Sequence, residues 1–252
     1  LSGDWRTEIL KAQLSETLSP KQLRDLWPDE PEDAPTTMAI APGVQKQLAA
    51  MASSIPDIFP EASASNEWIV SGARSASGKP LLANDPHLGL TAPGMWHLAR
   101  IETPDFKASG AAIPGQPFFM VGQNGHLSWG LTTTHADTQD LFIEKLHPDD
   151  PGQYLTPNGS LPFETRIEEI KVRGRGTPER LVVRSTRHGP VISDISPDSG
   201  EVAGSGSVIA LSFAALREDD HTANAIFGMN TAQTVSDFRN ALRGFHAPMQ
   251  NV

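Results

Sequence analysis

The hydrophobic pattern at the start of the chain is helical. Trp5, Ile9, Leu10 and Leu14 keep the three-to-four residue spacing of one helix face, which predicts an opening helix. Ser19-Pro20, an N-cap residue followed by proline at the first helical position, predicts a short second helix through Leu26. Pro28-Asp29-Glu30-Pro31-Glu32-Asp33-Ala34-Pro35 closes it as a solvated acidic loop. From Ala39 to Ala64 the chain is rich in Ala, Ser and Pro, with one helix expected around Val44–Met51. Ile55-Pro56-Asp57-Ile58-Phe59-Pro60 is too broken by proline for regular helix, so the stretch reads as a linker.

At Ser65 the pattern changes to short apolar runs and alternation. Asn66–Ser71, Leu81–Ala83, Met95–Glu102, Phe118–Val121, Leu127–Thr134 and Asp140–Leu146 read as strands. Turns are expected at Ser77-Gly78-Lys79-Pro80 and Gln123-Asn124-Gly125. Ile167–Arg173, Leu181–Thr186 and Val208–Leu216 add further strands. Thr234 then opens a helix with Val235, Phe238, Leu242 and Phe245 on one face and Asp237 in the capping-box position. Many strands with a few helices attached make an α+β pattern of antiparallel sheets flanked by helices.

Composition narrows the possibilities. The chain has 252 residues, a formal net charge of −10 and no cysteine. Disulfide frameworks, thiol catalysis and Cys-ligated zinc are therefore excluded. The acidic balance leaves no basic stripe to neutralise phosphates, which argues against nucleic-acid binding. No run of about 18 apolar residues is present to span a membrane. Residues 1–64 carry 10 acidic and 5 basic side chains, so half of the net charge lies in the first quarter. A chain that opens at Leu1 and stops at Val252 reads as a piece of a longer protein.

Several familiar motifs are missing: G-x-S-x-G, H-E-x-x-H, the P-loop and G-x-G-x-x-G. Asn158-Gly159-Ser160 fits a glycosylation sequon, and also a plain Asn-Gly turn, which is the preferred reading. Gly204-Ser205-Gly206-Ser207 likewise reads as a turn. The informative stretch is Ala62-Ser63-Ala64-Ser65-Asn66-Glu67-Trp68, continued by Ser77-Gly78-Lys79-Pro80-Leu81-Leu82-Ala83-Asn84-Asp85-Pro86-His87-Leu88. A serine between a small-residue linker and a strand becomes a chain terminus if the bond before it is cut. Its α-amine, with a pKa near 7.7–8.0, is then a base close to neutral pH. From composition alone, the same serine is a solubilising linker residue.

The Ser-Asn-x-Trp and Ser-Gly-Lys-Pro-Leu-Leu-Ala-Asn-Asp-Pro-His-Leu segments resemble the penicillin acylase family of N-terminal nucleophile hydrolases. The resemblance continues through Gly122-Gln123-Asn124-Gly125-His126-Leu127-Ser128-Trp129-Gly130-Leu131-Thr132-Thr133 and Asp137-Thr138-Gln139-Asp140-Leu141-Phe142. It returns at Thr186-Arg187-His188-Gly189-Pro190-Val191 and Pro248-Met249-Gln250-Asn251-Val252. It implies an αββα sandwich, of which this chain carries a fragment. Residues 1–40 would be the end of the small subunit, 41–64 the spacer, and 65–252 the first part of the large subunit.

The resemblance further implies self-cleavage between Ala64 and Ser65, leaving an α/β heterodimer with the rest of the precursor. Ser65 would be the nucleophile, with its own α-amine as base. The Thr133 backbone N–H and the Asn251 side-chain amide would hold the oxyanion. His87, where the family has Gln or His, would orient the amine; the His form is closer to the cephalosporin and acyl-homoserine-lactone acylases. Leu88, Val121 and Leu131 match acyl-pocket positions, although core packing explains the same residues. Asp137, Gln139 and Asp140 match a calcium-binding stretch, a solvated turn being the alternative, and Ca²⁺ needs 6–8 oxygens. No organic cofactor is implied, and the location would be periplasmic. The expected reaction is hydrolysis of a linear amide of a small N-acyl substrate. Two rivals remain: a conventional Ser65/His87/Asp hydrolase, and a catalytically silent, calcium-stabilised acylase-like binding domain.

Overall fold

The computed structural model describes residues 5–15, 17–28, 64–89, 92–134, 136–195 and 206–252. The expected helix at Val44–Met51 and the spacer up to Ser63 lie outside them. The described residues fall into two units.

The first unit comprises residues 64–138 and 214–252. Strands β1 (Ala64–Val70) and β2 (Leu81–His87) form an antiparallel hairpin, with Ala64 opposite His87 and Val70 opposite Leu81. Its turn is the expected one: Gly78 takes a left-handed φ of 69°, and the Ser75 hydroxyl donates to the Lys79 carbonyl at 2.6 Å. Strands β3 (His97–Glu102), β4 (Lys107–Ala112), β5 (Val121–Gln123) and β6 (Ser128–Trp129) form a second antiparallel sheet in that order. Strand β7 (Thr132–Thr133) pairs with β15 (Gln250–Asn251). The expected strand over Leu127–Thr134 is thus split between β6 and β7 at Gly130. Likewise, the run at Phe118–Val121 spends Phe119 and Met120 in the core before β5 begins.

Two helices pack on this sheet, α3 (Thr222–Thr231) and α4 (Val235–Leu242). The capping box at Thr234 is made as expected, with the Asp237 carboxylate accepting from Thr234 N–H and Thr234 Oγ1 accepting from Asp237 N–H. Helix α3 lacks a clean apolar stripe and was not expected. The buried residues Ala108, Phe119, Trp129 and Met229 form the core, with Phe238, Leu242 and Phe245 against them.

The second unit comprises described residues 5–28 and 139–213. Helix α1 (Trp5–Leu14) and helix α2 (Pro20–Leu26) both appear where their sequences predict them, and Ser19 makes a full capping box with Gln22. Strands β8 (Gln139–His147), β9 (Asp150–Thr156), β10 (Gly159–Pro162) and β14 (Ser207–Phe213) form a sheet in the order β10-β9-β8-β14. Asn158-Gly159 is the β9–β10 hairpin turn, with Gly159 at φ 122°. Strands β11 (Glu164–Ile170), β12 (Glu179–Thr186) and β13 (Gly189–Pro190) form a third ladder. Tyr154, Phe163, Val191 and Val208 make the core here. A bidentate Arg184–Asp194 pair, 2.7 and 2.8 Å long, lies beside it.

Candidate active site

The site is built on the β1–β2 hairpin. Alternation along β1 turns Ser65 and Glu67 to the half-buried face and Ala64, Asn66 and Trp68 to the exposed one. Ser65 stands opposite Pro86 in the register, and Ala64 opposite His87. The chain therefore runs through the Ala64–Ser65 bond as paired strand.

Asn84, on β2, joins three segments through one carboxamide. Its Nδ2 donates to the carbonyls of Asn66 and Leu131, both at 3.0 Å, while its Oδ1 accepts from Leu131 N–H at 3.2 Å. Gly130 makes this approach possible. A Cβ there would stand 2.8 Å from Glu67 Oε1 and 2.9 Å from Asn84 Cβ. Burial lifts the Glu67 carboxyl above the usual carboxylate range. Among the described residues it has no hydrogen-bond partner.

Strand β7, just after Leu131, packs against β1. It brings Thr133 beside β1, and β15 brings Asn251 beside β7. The register sets Gln250 opposite Thr133 and Asn251 opposite Thr132. Gln250 Nε2 donates to Thr133 Oγ1 at 3.1 Å, and Asn251 Nδ2 donates to Thr132 Oγ1 at 3.2 Å. Ser65, Thr133 and Asn251 are thus carried by three neighbouring strands: β1, β7 and β15.

His87 ends β2 on the exposed side. Its Nδ1 is 3.1 Å from the Asp85 carbonyl and its Nε2 is 3.6 Å from the Asp85 carboxylate. Among the described residues no hydrogen bond joins it to Ser65. Of the three expected pocket residues, Val121 and Leu131 belong to one apolar cluster with Met120 and Ile226. Leu88 lies half-buried in the loop after β2, outside that cluster.

The expected calcium residues begin β8 and the segment before it. Asp137 is exposed, Asp140 half-buried and Gln139 buried. The Gln139 carboxamide oxygen is enclosed without a hydrogen-bond partner among the described residues. A buried carbonyl oxygen in that state is a hard donor whose lost hydration is uncompensated, which suits a calcium ligand. In the same unit a Glu8 carboxylate oxygen lies within 4.8 Å of one from Asp140. Glu8 Oε2 also accepts from the Leu141 N–H at 2.9 Å. Sequence reasoning missed Glu8, because nothing in the pattern of α1 marks one of its exposed-type positions as a neighbour of β8.

The sequence matches the family model described as penicillin amidase over residues 1–252. It is 32% identical over 194 residues to acyl-homoserine lactone acylase QuiP of Pseudomonas aeruginosa, covering 75% of this chain and 23% of that protein. The QuiP of Pseudomonas fluorescens is 30% identical over 266 residues, covering 100% of this chain and 32% of the relative. Penicillin acylase 2 proenzyme of a Pseudomonas species is 31% identical, covering 82% and 26%. The chain thus spans from 23% to 32% of the length of these relatives. Among solved structures, a thermostable penicillin G acylase from Alcaligenes faecalis superposes with a TM-score of 0.56. That match has 23% identity and covers 69% of this chain and 30% of the other, a likeness of fold.

Proposed function

Because the chain belongs to the penicillin amidase family, we propose that it carries the nucleophile of an acylase precursor whose mature form hydrolyses the linear amide of an N-acyl substrate. The observation that carries this reading is the adjacency of β1, β7 and β15, which gathers Ser65, Thr133 and Asn251 within the first unit. In the precursor, Ser65 Oγ attacks the Ala64 carbonyl carbon, and the acyl group moves from nitrogen to oxygen. Water hydrolyses the resulting ester, freeing the Ala64 carboxylate and the Ser65 α-amine. In turnover that amine takes the Oγ proton as Oγ attacks the substrate carbonyl, and returns a proton to the leaving amine. The Thr133 N–H and the Asn251 amide stabilise the oxyanion as neutral donors that do not titrate.

The turn of both His87 ring nitrogens towards Asp85 supports the amine as base over a Ser65/His87 pair. His87 then orients the Ser65 terminus across the hairpin. The aliphatic side chains of Leu88, Val121 and Leu131 favour an aliphatic acyl group. Acyl-homoserine lactones come first among the candidate substrates and β-lactam amides second. The orphaned Gln139 oxygen supports a structural Ca²⁺ held within the second unit by Gln139 and Asp140 of the expected set, with Glu8 added to them. Bound there, the ion neutralises carboxylates and ties the ligand segments together. A periplasmic location rests on the family alone, and cell fractionation checks it. No helix among the described residues is long and apolar enough to cross a membrane.

The test is intact mass and N-terminal sequencing of the full-length protein beside Ser65→Ala, followed by assays on acyl-homoserine lactones and penicillins. Two chains in the wild type, the larger beginning Ser-Asn-Glu-Trp, and one in the variant are expected. An uncut wild-type chain that still hydrolyses amides would overturn the mechanism in favour of the Ser/His/Asp rival.

A further inference from the structure

We propose that Thr222 is a positioning residue for the oxyanion donor Asn251, an inference that rests on the donor assignment above. Thr222 is the first residue of α3 and is buried. Its Oγ1 donates to Asp220 Oδ1 at 2.7 Å and accepts from the backbone N–H groups of His246 and Ala247 at 3.0 and 3.2 Å. A hydroxyl has one proton and two lone pairs, and all three are used. Asp220 takes the only proton, which leaves both lone pairs to face the two N–H groups. The carboxylate therefore sets the hydroxyl rotor, and the rotor holds the chain.

What is held is the segment leading to the donor. Three residues separate Ala247 from Asn251, and the segment is fixed at its far end to β7. The Met249 carbonyl accepts from Thr134 Oγ1 at 3.2 Å, and Gln250 and Asn251 pair with Thr133 and Thr132. The near end is tied to α3 through Thr222, and α3 is held firmly. Asn230 Oδ1 accepts from Phe119 N–H at 2.9 Å, and its Nδ2 donates to the Phe119 carbonyl at 3.0 Å. Asn124 Nδ2 donates to the carbonyls of Asn230 and Ala232 at 3.0 and 2.7 Å. Thr222 is thus the joint between a helix locked to the β4–β6 core and a strand of two residues. A two-residue strand has too few ladder bonds to set its own position to the accuracy that an oxyanion donor demands.

A donor displaced by a fraction of an ångström still lets substrate bind, but it stabilises the transition state less. Thr222→Val keeps the shape of the side chain and removes its lone pairs and proton. In the self-processed full-length enzyme, kcat per titrated active site for a decanoyl p-nitroanilide is expected to fall about 10–100-fold, with KM changed less than about twofold. Thr222→Ser, which retains the hydroxyl, should stay within about threefold of the wild type. Combined with Asn251→Ala, Thr222→Val should add almost nothing, since the residue it positions is already gone. If Thr222→Val does not accumulate as folded protein, Asp220→Ala serves. It frees the hydroxyl rotor and should lower kcat in the same direction, again with no added effect on Asn251→Ala.

A kcat within about twofold of wild type in Thr222→Val or Asp220→Ala overturns the proposal, and so does a full multiplicative loss in the double variant. If Asn251→Ala slows turnover while the Thr222 and Asp220 variants do not, only the positioning role fails. If Asn251→Ala itself leaves kcat unchanged, the donor assignment falls and the positioning role falls with it.

Discussion

Asn84 and Leu131, 47 residues apart, are joined through both backbone polar groups of Leu131: carboxamide oxygen to N–H, and carboxamide nitrogen to C=O. Asn84 thereby mimics a strand partner for a residue that has none among the described residues, and it stitches the β1–β2 hairpin to the chain entering β7. Asn84→Leu, close in size, should destabilise the protein by about 1–3 kcal/mol, because it strands the part-buried N–H and C=O of Leu131. Urea unfolding of Ser65→Ala, which stays a single chain, beside the double variant would measure this. A change below about 0.5 kcal/mol would show that water replaces the carboxamide.

Gly189 lies at φ 141°, and a Cβ there would collide with the Leu211 carbonyl on β14. Gly189→Ala should therefore cost more than about 3 kcal/mol, through clash and backbone strain together. The expected outcome is a sharp drop in the thermal midpoint, or no soluble protein. A stable variant would mean that the β12–β13 turn yields easily.

Glu67 sets a pH dependence. Its carboxyl titrates above the ordinary value of 4.5 because burial disfavours the charged form. Below the ordinary value the acid is protonated in folded and unfolded states alike, so it contributes nothing. As pH rises through the window above 4.5, the unfolded chain releases its proton first and stability falls. Glu67→Gln should therefore gain stability relative to wild type on going from pH 4 to pH 7, read as urea midpoints. An unchanged difference between the two proteins across that range would contradict the assignment.

Removal of calcium supplies a further check. EGTA should lower the thermal midpoint of the full-length protein, and added Ca²⁺ should restore it by mass action. Gln139→Leu should abolish the response while filling the space. A wild-type midpoint indifferent to both additions would assign the acidic residues to the solvated-turn alternative.

Local chemistry is what the sequence displays best. The capping boxes at Ser19 and Thr234 and the turns at Gly78 and Gly159 were legible because a few adjacent residues decide them. Strand β4 was not, since Lys107-Ala108-Ser109-Gly110-Ala111-Ala112 has no β-branched residue. It forms because Gly110 lets its backbone press against Val121 and Gly122. Asn124 read as a plain turn residue, yet it is buried, and its amide reaches across 106 residues to Asn230. Helix α3 was invisible for a related reason, its buried face being Ala225, Ile226, Met229 and the polar Asn230. In the candidate site, Ser65, His87, Thr133 and Asn251 stand in motifs. Glu8 and Thr222 do not, since Glu8 meets Leu141 and Thr222 meets His246 and Ala247 only through the fold.

The hairpin that carries Ser65 closes over a ten-residue connection, whereas Thr133 meets Gln250 across a separation of 117 residues. Hairpins form in microseconds, and distant strands must first overcome the entropy of a large loop. Ser65 is therefore in its strand early, while the pairing of β15 with β7 waits for nearly the whole first unit to assemble. A chain that cuts itself at Ala64–Ser65 would thus be reporting that its long-range contacts are complete. On the proposed mechanism the self-cut would act as a folding checkpoint, and misfolded copies would remain uncut and recognisable by their length.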